Sequence, residues 1–166
     1  IILLGSQVYL QQIIQDSKSA RMINLSGRQR MLSQKITKLS LAISITNDNP
    51  RSGIYEVELE DAWKTWKQSH HELEALYRND DHPVLKLLFD ELEKSFNEID
   101  LAVGQLLKQN LSKDFTAIAL NLKTIGENEP LFLSYMDQIT FKLDELANDK
   151  IDKLSRIQLI LLIITL

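Results

Sequence analysis

Ile23-Asn24-Leu25-Ser26-Gly27-Arg28-Gln29-Arg30-Met31-Leu32-Ser33-Gln34 lies early in a long segment of helical periodicity, and the two sides of that segment decide the fold. At roughly 100° per residue, Leu25, Leu32, Ile36, Leu39 and Ile43 fall on one line, the stripe of a helix packed on a core. Ala20, Ile23, Asn24, Gly27, Arg30, Met31 and Gln34 gather roughly 180° away, where a surface helix ordinarily carries Lys and Glu. This helix therefore has two contact faces. A glycine inside a helix costs about 0.5–1 kcal/mol relative to alanine, so Gly27 implies that another backbone or a ligand comes close. Arg30 lies one turn further on, and its permanently charged, planar fork of donors suits a planar oxyanion better than a lysine would. If two copies of the helix meet across a two-fold axis at Gly27, two Arg30 side chains converge and repel, and a bound anion relieves the repulsion. The same residues also admit a plainer reading, in which they only permit tight helix packing and Arg30 pairs with a carboxylate on another helix.

Asn24 to Gln34 resembles the signature of PilJ-like sensor domains of type IV pilus methyl-accepting chemotaxis proteins, and the P-box of the nitrate/nitrite sensor kinases NarX and NarQ. The motif covers a small part of the chain; elsewhere the resemblance is one of helix order and length. It implies a periplasmic four-helix bundle that dimerises through its first helix and binds one nitrate between two P-boxes. By position, Arg30 matches the anion-binding arginine, Gly27 the glycine whose backbone approaches the anion, and Asn24 and Met31 the flanking signature positions. Arg28 stands where the nitrate kinases carry a small residue and agrees with the broader family.

Composition fits this reading. With 166 residues, 44% hydrophobic and 25% charged, the chain is one ordinary globular domain. Five glycines, three prolines and no sustained alternation make the class all-α, an antiparallel up-down four-helix bundle with a long first and a long last helix. A net charge of −4, with no basic stripe interleaved with aromatics, excludes nucleic acid as a partner. The absence of cysteine removes disulfides, thiolate metal sites and thiol catalysis, and fits any compartment.

Apolar runs at Ile1-Ile2-Leu3-Leu4 and from Ile157 to Leu166 fall short of the roughly 20 residues that cross a bilayer. The expected organisation is the end of a first transmembrane helix at 1–5, an extracytoplasmic ligand-binding bundle at 6–156 and the start of a second span at 157–166. A soluble protein with buried end helices is the alternative. Four antiparallel helices place both ends on one side, as two spans require.

Helix one is expected from Ser6 to Thr46, closed by the turn-rich Asn47 to Gly53. Helix two runs from Ile54 to Arg78 with Leu59, Trp63, Trp66, His70, Leu73 and Tyr77 at helical spacing; the two tryptophans read as core rather than as an aromatic ligand site. Asp81 is placed to cap helix three, Pro83 to Gln109, whose Leu85, Leu88, Leu92, Phe96, Ile99, Val103 and Leu106 form a heptad. Ser112 would cap a short piece ending near Gly126. Glu127-Asn128-Glu129-Pro130 would then restart a fourth helix, with Phe132, Met136, Ile139, Leu143, Leu146, Leu154 and Ile157 as its stripe.

Other constellations carry no chemistry. His70, His71 and Glu74 share a helical turn but lack a fourth metal ligand, and read as a solvated face. Asp144, Glu145, Asp149 and Asp152 lack the EF-hand glycine and read as an exposed face shared with Lys150 and Lys153. Two short glycosylation patterns, at Asn24 and Asn110, are of a kind that arises by chance. No catalytic triad, phosphate loop or carboxylate pair can be assembled, so neither enzymatic activity nor a cofactor is expected.

The expected function is the extracytoplasmic sensor domain of a bacterial transmembrane signalling receptor in the inner membrane. It would work as a homodimer that binds a small oxyanion, nitrate first and nitrite second. An interaction module of the same fold, with the motif serving only the dimer, and a ligand-free scaffold are the alternatives.

Overall fold

A computed structural model of the chain describes residues 2–46, 52–78, 82–110 and 114–165, with side chains placed at 17–46, 52–78, 82–108, 114–160 and 163. Its elements are α1 (Ile2–Ile45), α2 (Ser52–Tyr77), α3 (Pro83–Asn110) and α4 (Phe115–Thr165), and no strand occurs among the described residues. They form a four-helix bundle in which α1 lies against α2 and α4, and α3 packs closely on α4 and less closely on α2. Pairings of Arg21 with Glu72 and of Gln29 with Trp66 run in opposite directions along α1 and α2, so these neighbours are antiparallel.

The stripes read from periodicity make the core. Leu25, Leu32, Ile36, Leu39 and Ile43 of α1 are buried, and so are Leu85, Leu92, Phe96, Ile99, Val103 and Leu106 of α3, with Leu88 half-buried and Phe89 added to the set. Trp66 sits fully buried at the centre, 4.4 Å from the Phe96 ring and 5.2 Å from Phe132 of α4. Ring also meets ring at His70–Phe96 and Tyr77–Phe89. Side chains of this size hold the α2 and α3 backbones apart, which explains why that pair is the loosest. Gly104 tunes the same gap: a Cβ there would lie 3.2 Å from the Trp63 ring, so a larger residue would push the indole back from α3 by a few tenths of an ångström.

Several boundaries differ from expectation. The fourth helix does not restart at Pro130 but runs unbroken from Phe115, with the proline inside it. Pro130 removes one N–H and crowds the carbonyl of Gly126 four residues earlier, a local cost of about 3 kcal/mol. Burial of Ile118 and Ile125 before it, and of Phe132, Met136 and Ile139 after it, outweighs that cost. The cap of α4 is Asp114, whose Oδ1 accepts from the Ala117 N–H; the expected caps Ser112 and Asp81 lie outside the described residues. The core stripe of α4 ends at half-buried Leu146, and Ile151, Ile157, Leu159, Ile160 and Ile163 are exposed. Among the described residues no helix is long and apolar enough to cross a membrane.

Replacing Pro130 by alanine should restore the missing bond and raise the melting temperature, an effect of up to about 3 kcal/mol. Trp66→Ala should lower stability by about 3–5 kcal/mol through the cavity it leaves. Thermal melts followed by helical circular dichroism read both, and a lower melting point for Pro130→Ala would show that the packing needs the proline.

Candidate functional site

The rotation of α1 about its axis is set by its buried apolar stripe, and three polar residues lie on the same inner side. Gln29 is fully buried and its Nε2 donates to the Trp66 carbonyl of α2 at 2.7 Å. Ser26 and Ser33 are also buried and donate back to the α1 carbonyls of Met22 and Arg30. With these residues inward, the opposite side must face out. Ala20, Asn24, Gly27, Arg30, Met31 and Gln34 are all exposed, and Ile23 is half-buried.

Gly27 has no packing reason inside this subunit. A Cβ built there meets nothing within 4 Å, as at Gly53 and Gly126 and in contrast to Gly104; Gly27 differs from the other two in lying in the middle of the exposed face of α1. The exposed face is also longer than the motif. Ala20, Asn24, Gly27, Met31, Gln34, Lys38, Leu41 and Ile45 follow one another at alternating spacings of four and three, the seam of a helix that pairs with another helix, and every one of them is exposed. Lys38, Leu41 and Ile45 continue this spacing beyond the residues of the expected interface.

The charge on this helix is one-sided. Between residues 17 and 46 there are six basic side chains and no acidic one, in a chain of net charge −4. Arg21 is paired with Glu72, whereas Arg28, Lys35 and Lys38 are exposed and make no ion pair among the described residues. Arg30 has an acidic partner on another helix. Its Nε lies 2.7 Å from Oδ1 of Asp137 on α4, so its charge is offset within the subunit rather than left to repel a twin. The pair is 44% and 54% exposed, and such surface pairs contribute about 0–1 kcal/mol. This is the carboxylate pairing of the plainer reading; the tight packing around Gly27 that the same reading requires is not found within the subunit.

The remaining candidates separate. Trp66 is core, as expected, but Trp63 is half-buried and lines a groove of about 350 Å³ between α2 and α3 with Gly53, Glu56, Val57, Glu60, Gly104, Leu107 and Lys108. Its indole N–H donates to Asp100 at 2.6 Å and Lys67 lies over its ring at 3.6 Å. His70 is not on a solvated face: it is buried, stacked on Phe96, with Nε2 2.8 Å from Glu93 Oε2, while His71 is exposed. Glu145 pairs with Lys142 rather than with Lys150 or Lys153. No cluster able to hold a metal ion occurs among the described residues. Three buried atoms lack a partner near the bundle centre, Gln29 Oε1, Trp66 Nε1 and His70 Nδ1.

Comparison with known proteins gives one match. The family described as type IV pili methyl-accepting chemotaxis transducer N-term, PilJ, matches residues 13–123, about two thirds of the chain and all of the α1 motif. No curated protein and no solved structure matches.

The hydrogen bond from His70 holds the Glu93 carboxyl below the ordinary carboxylate range, against the opposing effect of burial. A carboxyl with a lowered folded pKa stabilises the fold at neutral pH, and that contribution disappears as pH falls through the lowered value. Glu93→Gln should therefore be less stable than the unsubstituted chain at pH 7, with the difference shrinking toward about pH 3. Chemical denaturation across that range measures it, and a difference undiminished in acid would contradict the assignment.

Proposed function

This chain belongs to the PilJ family of type IV pili methyl-accepting chemotaxis transducer N-terminal domains, and on that premise we propose that it is the extracytoplasmic sensor of a transmembrane receptor and dimerises through the outer face of α1. Its ligand is a small oxyanion, nitrate first, held where the two copies of Gly27 and Arg30 approach, with Asn24 and Met31 beside them. The observation that carries this reading is Gly27: a helical glycine with open space around it, in the middle of an exposed 4–3 seam. A second helix is what such a seam fits, and glycine lets the two backbones come close.

The charge pattern supports an anion rather than a simple apolar zipper. Across a two-fold axis Arg28, Lys35 and Lys38 are doubled with no acidic residue on α1 from 17 to 46 to offset them. Like charges at short range oppose association, and a small anion between them removes the opposition while accepting charge-assisted hydrogen bonds of roughly 1.5–3 kcal/mol each. Several such bonds suffice for micromolar affinity. The ligand biases the receptor only by its difference in affinity between two dimer arrangements. Shifts on the order of 1–2 Å along α1 and α4 would carry the signal to the membrane. The exposed apolar residues of α4 beyond Leu146 are in keeping with a membrane at that end. A second reading, a dimerisation or protein-interaction module without a small ligand, is favoured by the Arg30–Asp137 pair, which leaves Arg30 without an unmet charge.

Millimolar nitrate should raise the melting temperature of the purified chain under the first reading and leave it unchanged under the second. Calorimetry should show nitrate affinity reduced about tenfold or more by Arg30→Ala and in part by Arg30→Lys. Affinity surviving both substitutions would refute the role of Arg30.

A further inference from the structure

We infer that Asp137 is the anion Arg30 holds when no ligand is present, so that an incoming oxyanion must displace it and in doing so removes the surface ion pair between α1 and α4; this rests on the oxyanion reading above. Carboxylate and nitrate present the same feature to a guanidinium, oxygens in a plane matched to its fork of N–H donors. Asp137 approaches at 2.7 Å through the Nε edge, and no other acidic side chain pairs with Arg30 among the described residues. Both partners are about half exposed, so the contact is solvated and exchangeable rather than a fixed element of the core.

Its position gives the exchange a consequence. Gln29, the residue before Arg30, ties α1 to α2 through a bond buried in the core. Arg30 links the same turn of α1 to Asp137 of α4 through an ion pair at the surface. A ligand that reaches the outer face of α1 therefore meets the α4 tie and not the α2 tie. Taking Arg30 away from Asp137 leaves the buried α1–α2 hydrogen bond and the packing of α1 on α4 in place and removes only their surface ion pair. The released Asp137 carboxylate also stays beside the site and opposes the new anion, which sets the affinity lower than the cations alone would give. Asp137 is thus a competitor that tunes affinity, with the ligand's gain coupled to a change between the first and last helices.

The test is nitrate titration calorimetry on the purified 166-residue chain and on Asp137→Asn and Asp137→Glu, with sedimentation velocity of each in the presence and absence of nitrate. Asp137→Asn removes the competing charge and should bind nitrate about two- to five-fold more tightly, the range a surface ion pair spans. Its dimer should be weaker than that of the unsubstituted chain without nitrate, because Arg30 is then uncompensated, and should recover with nitrate. Asp137→Glu keeps the carboxylate and should bind close to the unsubstituted chain, an outcome that general loss of structure would not give. Nitrate binding by the unsubstituted chain with equal or weaker binding by Asp137→Asn overturns the competition while leaving the oxyanion reading intact. No nitrate binding by any of the three overturns both.

Discussion

Burial of the α1 stripe, Leu25, Leu32, Ile36, Leu39 and Ile43, together with one buried side-chain hydrogen bond, fixes which way the first helix faces. Gln29 has its polar group inside the bundle, where an unpaired amide is costly, and its Nε2 finds the Trp66 carbonyl. Trp66 is itself held between Phe96 and Phe132, so the acceptor is part of the most tightly determined region of the core. Turning α1 about its axis would break this bond and lift Leu32 and Ile36 out of the core. The outward direction of Gly27 and its seam follows from that constraint.

Once α1 is oriented, its outer face carries costs that the subunit offsets only in part, by the pairing of Arg21 with Glu72 and of Arg30 with Asp137. Met31, Leu41 and Ile45 are exposed apolar side chains, Gly27 weakens the helix without making room for a neighbour, and the basic residues crowd one helix of an otherwise acidic chain. Each feature alone is ordinary on a protein surface; Gly27, Met31, Leu41 and Ile45 align on one seam with basic residues on and beside it, which is the basis of the proposed interface. On the proposed reading, the excess of positive charge keeps self-association weak until an anion joins it. Weak self-association is a property a sensor needs, because an equilibrium already far to one side leaves a ligand little to shift.

Much of this was legible in the sequence where the signal is periodic. The α1 stripe and the α3 heptad are core because burial of a continuous apolar line overrides weaker local preferences. Local rules failed where the tertiary context was stronger: Pro130 read as a helix start, yet burial on both sides of it keeps α4 continuous. His70 fell on the core stripe by spacing and on a solvated face by chemistry, and stacking on Phe96 decided for the core. The partner of Arg30 could not be read at all, since helical periodicity tells which face a residue is on but not how far α4 is displaced along α1. The seam beyond Gln34 was readable but lay outside the motif on which the family resemblance rests.

The account depends most on two copies meeting along the outer face of α1, and the absence of cysteine makes a direct test clean. A disulfide forms only when two Cα atoms come within about 7 Å, so a single cysteine introduced at Gln34, in the seam, reports contact between twins. Oxidation of Gln34→Cys in the presence of nitrate should yield a cross-linked dimer, whereas Leu101→Cys, equally single and exposed on α3, should stay monomeric. No cross-link at position 34, or equal cross-linking at both positions, would contradict the proposed interface.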